Sequence, residues 1–152
     1  MLDSLSGWPE IWKDLQQVTI AYLLTAVIGW DREQEAHSTG IRTFPLVGMA
    51  SCGYLLVLGP QTDLAAQSRV LQGLITGIGF VGGGAILKEG ATVKGTATAA
   101  SVWNAGVIGA SVAMGHYQIA IVLAALNLFT LRALLPIKNW IDGKKNTGGQ
   151  GS

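Results

Sequence analysis

The chain has 152 residues, of which 49% are hydrophobic and 12% charged, and its net charge is +1. That length suits one domain, and so little charge places the chain with polytopic membrane proteins rather than soluble ones. The near-neutral balance argues against a nucleic-acid binder, which needs a basic patch, and the one cysteine, Cys52, excludes an intrachain disulfide and argues against a thiolate metal site.

The first four residues, Met1-Leu2-Asp3-Ser4, carry an acidic residue rather than the basic start of a secretory signal, so the first apolar segment is expected to remain in the mature protein. Trp8 and Trp12 are four residues apart and share a helical face. That spacing predicts a short interfacial helix within residues 1–14, because tryptophan prefers the headgroup level. Five apolar segments follow, at about Leu15–Trp30, Thr43–Leu58, Val70–Leu87, Ala97–Met114 and Gln118–Leu135. Each is about 24–30 Å long as a helix, close to the thickness of a bilayer core. The predicted architecture is an all-α, polytopic membrane bundle of five transmembrane helices over residues 15–137, with a cytoplasmic tail at 138–152. The connection Gly115–Tyr117 is so short that the last two helices must be antiparallel neighbours.

Five crossings put the termini on opposite sides. One side collects Arg32, Arg42, Lys88, Lys94, Lys138, Lys144 and Lys145, with Arg132 close by, and the other has Lys13 and Arg69. The positive-inside rule makes the first side cytoplasmic, with the N-terminus outside and the C-terminus inside. Trp30 and Trp140 then fall at the inner interface.

The third segment contains Gly77-Ile78-Gly79-Phe80-Val81-Gly82-Gly83-Gly84-Ala85-Ile86-Leu87. A soluble helix is weakened by about 1 kcal/mol for each glycine relative to alanine. In lipid, small residues allow close backbone approach, and that approach drives helix association. Gly73 with Gly77, and Gly79 with Gly83, form two small-xxx-small pairs, so this segment is expected to be a buried, tightly packed helix with a break near Gly82–Gly84. In the fourth segment Ala97, Ser101, Ala105 and Gly109 recur every four residues, a stripe expected to pack against those glycines. Thr96, Thr98 and Ser101 can cap this helix or bond to carbonyls. A sharper reading places an anion or cation site where the helix start meets the broken backbone, with Trp103 and Asn104 at its edge.

The first connection offers charged candidates. Asp31 and Glu35 are one helical turn apart and can face the same way. Grouped carboxylates at a membrane mouth can hold hydrated Mg2+, but solvated charges at a helix end are the simpler reading. Arg42 opens an apolar helix beside Thr43. It is expected to pair with Asp31 across a hairpin, the plainer alternative being an arginine that snorkels at the interface. Asn127 and Thr130 in the fifth segment are expected to face the bundle interior. No nucleophile–base pattern, phosphate loop or metalloprotease motif occurs, so no catalytic residue and no cofactor are expected.

Taken together, Gly29-Trp30-Asp31-Arg32-Glu33, Gly40-Ile41-Arg42-Thr43, Gly77 to Ile86, Lys94-Gly95 and Thr98-Ala99-Ala100-Ser101-Val102-Trp103 resemble the MgtC/SapB family of bacterial inner-membrane proteins. The resemblance covers about Leu15 to Leu135, and it rests on several motifs in order rather than on any one. Asp31 stands where the family usually has Glu, while Ala97 and Asn104 stand where the MgtC branch typically has Asn and Cys, which favours the SapB/YhiD-like branch. Many members carry a cytoplasmic domain after the fifth helix, where this sequence has only a short tail. The expected protein is a non-enzymatic, dimeric, five-helix protein of the bacterial inner membrane. The resemblance implies roles in magnesium limitation, acid stress or intracellular survival and, for MgtC-like members, modulation of the F-type ATP synthase. The alternative is a small transporter or channel with a site between the third and fourth helices.

Overall fold

The computed structural model describes residues 7–34, 40–59, 62–90 and 92–136. Glu35, His37, Trp140 and the expected tail at 138–152 lie outside the described residues. The fold is an all-α bundle of α1 (Trp8–Gln34), α2 (Thr43–Leu56), α3 (Leu64–Gly83), α4 (Thr96–Ala113) and α5 (Tyr117–Ala133). A small hairpin of β1 (Leu87–Glu89) and β2 (Thr92–Lys94) joins α3 to α4.

α4 is the central helix and touches each of the other four. Its sequence explains the position. Small side chains such as Ala99, Ser101, Ala105, Gly106, Gly109 and Ser111 are buried along its length and let neighbouring backbones come close. A Cβ at Gly109 would overlap the carbonyl oxygen of Gly48, and one at Gly106 would overlap Ile78. Polar side chains then join the helices. Gln17 Nε2 donates to Val112 O at 2.9 Å, Ser101 Oγ donates to Asn127 Oδ1 at 2.9 Å, and Asn104 Nδ2 donates to Leu123 O at 3.3 Å.

Four expectations change here. The short N-terminal helix is not separate: α1 runs unbroken from Trp8, because nothing in Asp14–Gln17 breaks a helix, and Trp8 and Trp12 are exposed on its first turns. α3 begins at Leu64, earlier than the apolar run, because Asp63 caps it; its Oδ1 accepts from the Ala66 amide at 2.7 Å. The segment after α3 is a hairpin with Leu87 opposite Lys94 and Glu89 opposite Thr92. Gly90, at φ +61°, supplies the left-handed residue that such a two-residue turn needs.

The fourth change concerns the glycines. α3 does end at Gly83, with Gly84 as its C-cap, so the expected break is there. Yet a Cβ placed at Gly73, Gly77, Gly79 or Gly83 would meet nothing within 4 Å. Only Ile78 and Gly82 of α3 are buried, and both face α4: Ile78 lies against Gly106, and a Cβ at Gly82 would sit 3.0 Å from Ala99 O. The α4 stripe likewise turns away from α3: Gly109 packs on α2 and Ser101 bonds to α5. The reason is that α2 and α5, which themselves present Gly48, Ser51, Ala120 and Ala124 to the core, take the smooth side of α4.

Candidate functional site

Charge gathers at one end of the bundle, where α1 and α5 finish and α4 begins. Asp31, in the last turn of α1, is 5% exposed and Arg32 beside it is 3% exposed. Arg32 Nη2 donates to Asp31 Oδ2 at 2.9 Å, and Arg132 Nε, from the last turn of α5, donates to Asp31 Oδ1 at 2.6 Å. Each carboxylate oxygen therefore has a guanidinium partner. Burial alone pushes the Asp31 carboxyl up, but the hydrogen bonds and charges of Arg132 and Arg32 outweigh it and hold the carboxyl below the usual carboxylate range. The expected pairing of Asp31 with Arg42 does not occur. Arg42 is exposed at the N-cap of α2, makes no ion pair among the described residues, and leaves Thr43 half-buried behind it. The local cause is Glu33, whose Oε2 accepts the Ile41 amide at 3.1 Å and folds the end of the connection back on α1. Arg132 takes the place expected for Arg42 because the end of α5 packs beside the end of α1.

Next to this triad, the start of α4 forms the floor of a cavity of about 510 Å3 that Arg32, Lys94, Gly95, Thr96, Thr98 and Thr130 help to line. Gly95 is the N-cap, in the left-handed conformation at φ +83°, and a Cβ there would overlap Ala85 O. Glycine is therefore required by both backbone shape and space. Having no side chain, Gly95 gives the first-turn amides of α4 no side-chain cap. Lys94 is exposed on β2, whereas Thr98 is 2% exposed and its hydroxyl has no hydrogen-bond partner among the described residues.

The remaining candidates are dispersed. Ser101 and Asn104 hold α4 to α5, as described above. Trp103 is 47% exposed and borders a groove between α3 and α4 with Leu74, Ile78 and Gly106. Gly77 borders a groove between α3 and α2 with Val47 and Tyr54, and a Cβ at Gly77 or Gly79 would meet nothing within 4 Å. Among the described residues no three carboxylate, histidine or thiol side chains converge as metal ligands would.

Residues 18–140 match the MgtC family. The chain belongs to that family. Relatives include slr0014 of Synechocystis, 31% identical over 135 residues, with 89% of this chain and 56% of that protein covered. The protein MgtC of Brucella abortus is 31% identical, covering 82% of this chain and 54% of its own length. Escherichia coli YhiD, named a putative magnesium transporter, is 29% identical, covering 76% of this chain and 57% of its own length. The chain thus spans little more than half of each of these relatives. No solved structure gives a significant match.

Within this MgtC-family chain, the motif residues serve distinct local purposes. Gly29 to Glu33 close α1 and place Asp31. Lys94 and Gly95 lead into α4, and Thr98 to Trp103 form its first turns. Two features were missed in the sequence, Arg132 as the second partner of Asp31 and the buried hydroxyl of Thr98. A signal for the first was present: the count of basic residues already put Asp31, Arg32 and Arg132 on one side. Nothing in the sequence marks which face of α4 Thr98 occupies.

Proposed function

We propose that this MgtC-family chain is embedded in the bacterial inner membrane and acts there, without enzymatic chemistry, as a regulatory, partner-binding protein in magnesium-limited or acid-stressed cells. Its N-terminus lies outside and its C-terminus in the cytoplasm. Candidate partners are a second copy of the chain and, as the family resemblance implies, the F-type ATP synthase. Support for the membrane setting comes from an inverted distribution of polarity. Leu23, Val27, Leu46, Tyr54, Phe80, Ile121 and Phe129 point outward, while Gln17, Thr25, Ser51, Thr98 and Ser101 are buried. A surface so rich in large apolar side chains suits lipid or a partner helix.

The observation that carries the regulatory reading over a Mg2+ conduit is the double engagement of Asp31. A strongly hydrated divalent cation needs carboxylate or carbonyl oxygens free to receive it. The buried carboxylate among the described residues instead has a guanidinium on each oxygen. The magnesium-transporter name of YhiD favours the second reading, a small transporter or channel with a site between α3 and α4. Against that location, the groove there is lined by apolar side chains and glycine, with the Trp103 indole at its rim. Proteoliposomes containing a Mg2+-sensitive dye separate the readings. Uptake is expected to equal that of protein-free liposomes, and protein-dependent uptake lost on Asp31→Asn would establish the transporter instead.

A further inference from the structure

We infer that the cavity at the start of α4 is an anion site that takes a phosphate group, carried either by a free phosphate ion or by a lipid headgroup. This goes beyond the regulatory reading and does not depend on it. Three observations converge. The first is the N-terminus of an 18-residue helix, which its N-cap residue Gly95 leaves without a side-chain cap and whose partial positive charge favours an oxyanion. The second is Thr98, which lines the same cavity and is 2% exposed, with a hydroxyl that has no hydrogen-bond partner among the described residues. A buried hydroxyl left without a partner is costly, and such groups in native proteins call for an explanation. An oxyanion seated on the helix terminus supplies the missing acceptor.

The third observation is the sign of the walls. Arg32 and Lys94 both line the cavity, and among the described residues no acidic side chain does. Asp31 faces Arg32 and Arg132 with both oxygens engaged, so its carboxylate is directed to the guanidiniums. Size then selects the class of anion. About 510 Å3 is far more room than a halide fills, and it admits a tetrahedral phosphate with substituents. Val93, Leu131, Leu134 and Leu135 also line the cavity, which suits an ester whose remainder is apolar.

The test is thermal unfolding of the purified 152-residue chain in neutral detergent with two probes, inorganic phosphate and dioctanoylphosphatidylglycerol. Sodium chloride at matched ionic strength is the control. Saturable stabilisation by phosphate identifies a free-anion site, and stabilisation confined to the short-chain lipid identifies a headgroup site; either supports the inference. Thr98→Val keeps the side-chain shape and removes the donor. It is expected to raise the unfolding temperature without ligand, since no orphan hydroxyl remains, and to weaken the probe response roughly tenfold, while Thr98→Ser retains the response. A purely structural role for Thr98 would not separate those two effects. Lys94→Gln, at an exposed position, is expected to weaken the response. No response to either probe beyond the chloride control overturns the inference. So does a response that keeps wild-type affinity in both Thr98→Val and Lys94→Gln.

Discussion

Asp31→Asn is expected to destabilise the bundle by about 3–5 kcal/mol, the range for breaking one side of a buried ion pair. The reason is Arg32, which is 3% exposed and would lose a carboxylate 2.9 Å from its guanidinium. Arg132→Gln should cost about 1 kcal/mol or less, because the Arg132 side chain is 67% exposed and water can replace much of what the pair provides. Arg42→Gln should change little and should be additive with Asp31→Asn to within about 0.5 kcal/mol, since the two do not touch. The effect also depends on pH. The folded carboxyl sits below its ordinary value of 3.8, so its contribution is complete above that value and is lost as pH falls through the lower folded value. Chemical unfolding in detergent micelles as a function of pH reads both predictions. Wild type should lose stability in strong acid, and Asp31→Asn should flatten that loss.

Gly109→Ala is the second substitution with a large expected effect, about 3 kcal/mol or more of lost stability. Its new Cβ would overlap a backbone carbonyl, that of Gly48, so no side-chain rotation can relieve it and α2 must move from α4. Gly106→Ala overlaps the end of the Ile78 side chain, which can turn away, and should cost less. Gly77→Ala and Gly79→Ala point into open space on α3 and should stabilise the single chain by about 0.5–1 kcal/mol through helix propensity. Unfolding midpoints for the four variants, measured at one detergent concentration, give the order directly. Equal losses at Gly77 and Gly109 would place a neighbour over α3 that the bundle alone does not have.

The positions of the helices were legible because each apolar segment is interrupted by charge, glycine or proline, and because the short Gly115 turn leaves α4 and α5 only one arrangement. Ends were less clear: Asp63 is an N-cap of the ordinary kind, yet it lies several residues before the apolar run of α3 begins. The hairpin was hidden because two three-residue strands are too short for alternation to register, although Glu89-Gly90 is a turn signal. The glycine face was misassigned for a physical reason. Spacing shows that small residues share a face but not which helix meets it, and the partner of α4's smooth side is α2. The triad was half legible: Asp31 needed a cation, and helix packing rather than sequence proximity decided between Arg42 and Arg132.

Among the described residues, no helix is long and apolar enough to cross a membrane. The composition of the helices accounts for this. α2 has 14 residues and α5 has 17, while α4 carries Thr96, Thr98, Ser101 and Asn104 in its first half. Ser101 and Asn104 lower the apolar character of α4 but bond within the bundle, leaving side chains such as Val122, Leu126 and Phe129 of α5 outside. Short helices in a bilayer require local thinning or flanking anchors, and Trp30 at the end of α1 is 57% exposed and suited to that task. The bilayer setting is the claim on which the proposed function depends most. Cysteine labelling tests it most directly, with single cysteines at Asp63 and Thr92 in a Cys52→Ala background. An impermeant thiol reagent on intact spheroplasts should label Asp63→Cys, at the start of α3, and should reach Thr92→Cys in the hairpin only after the membrane is opened. Labelling of both positions in intact spheroplasts, or of Thr92→Cys alone, would contradict the embedded bundle with its charged end inside.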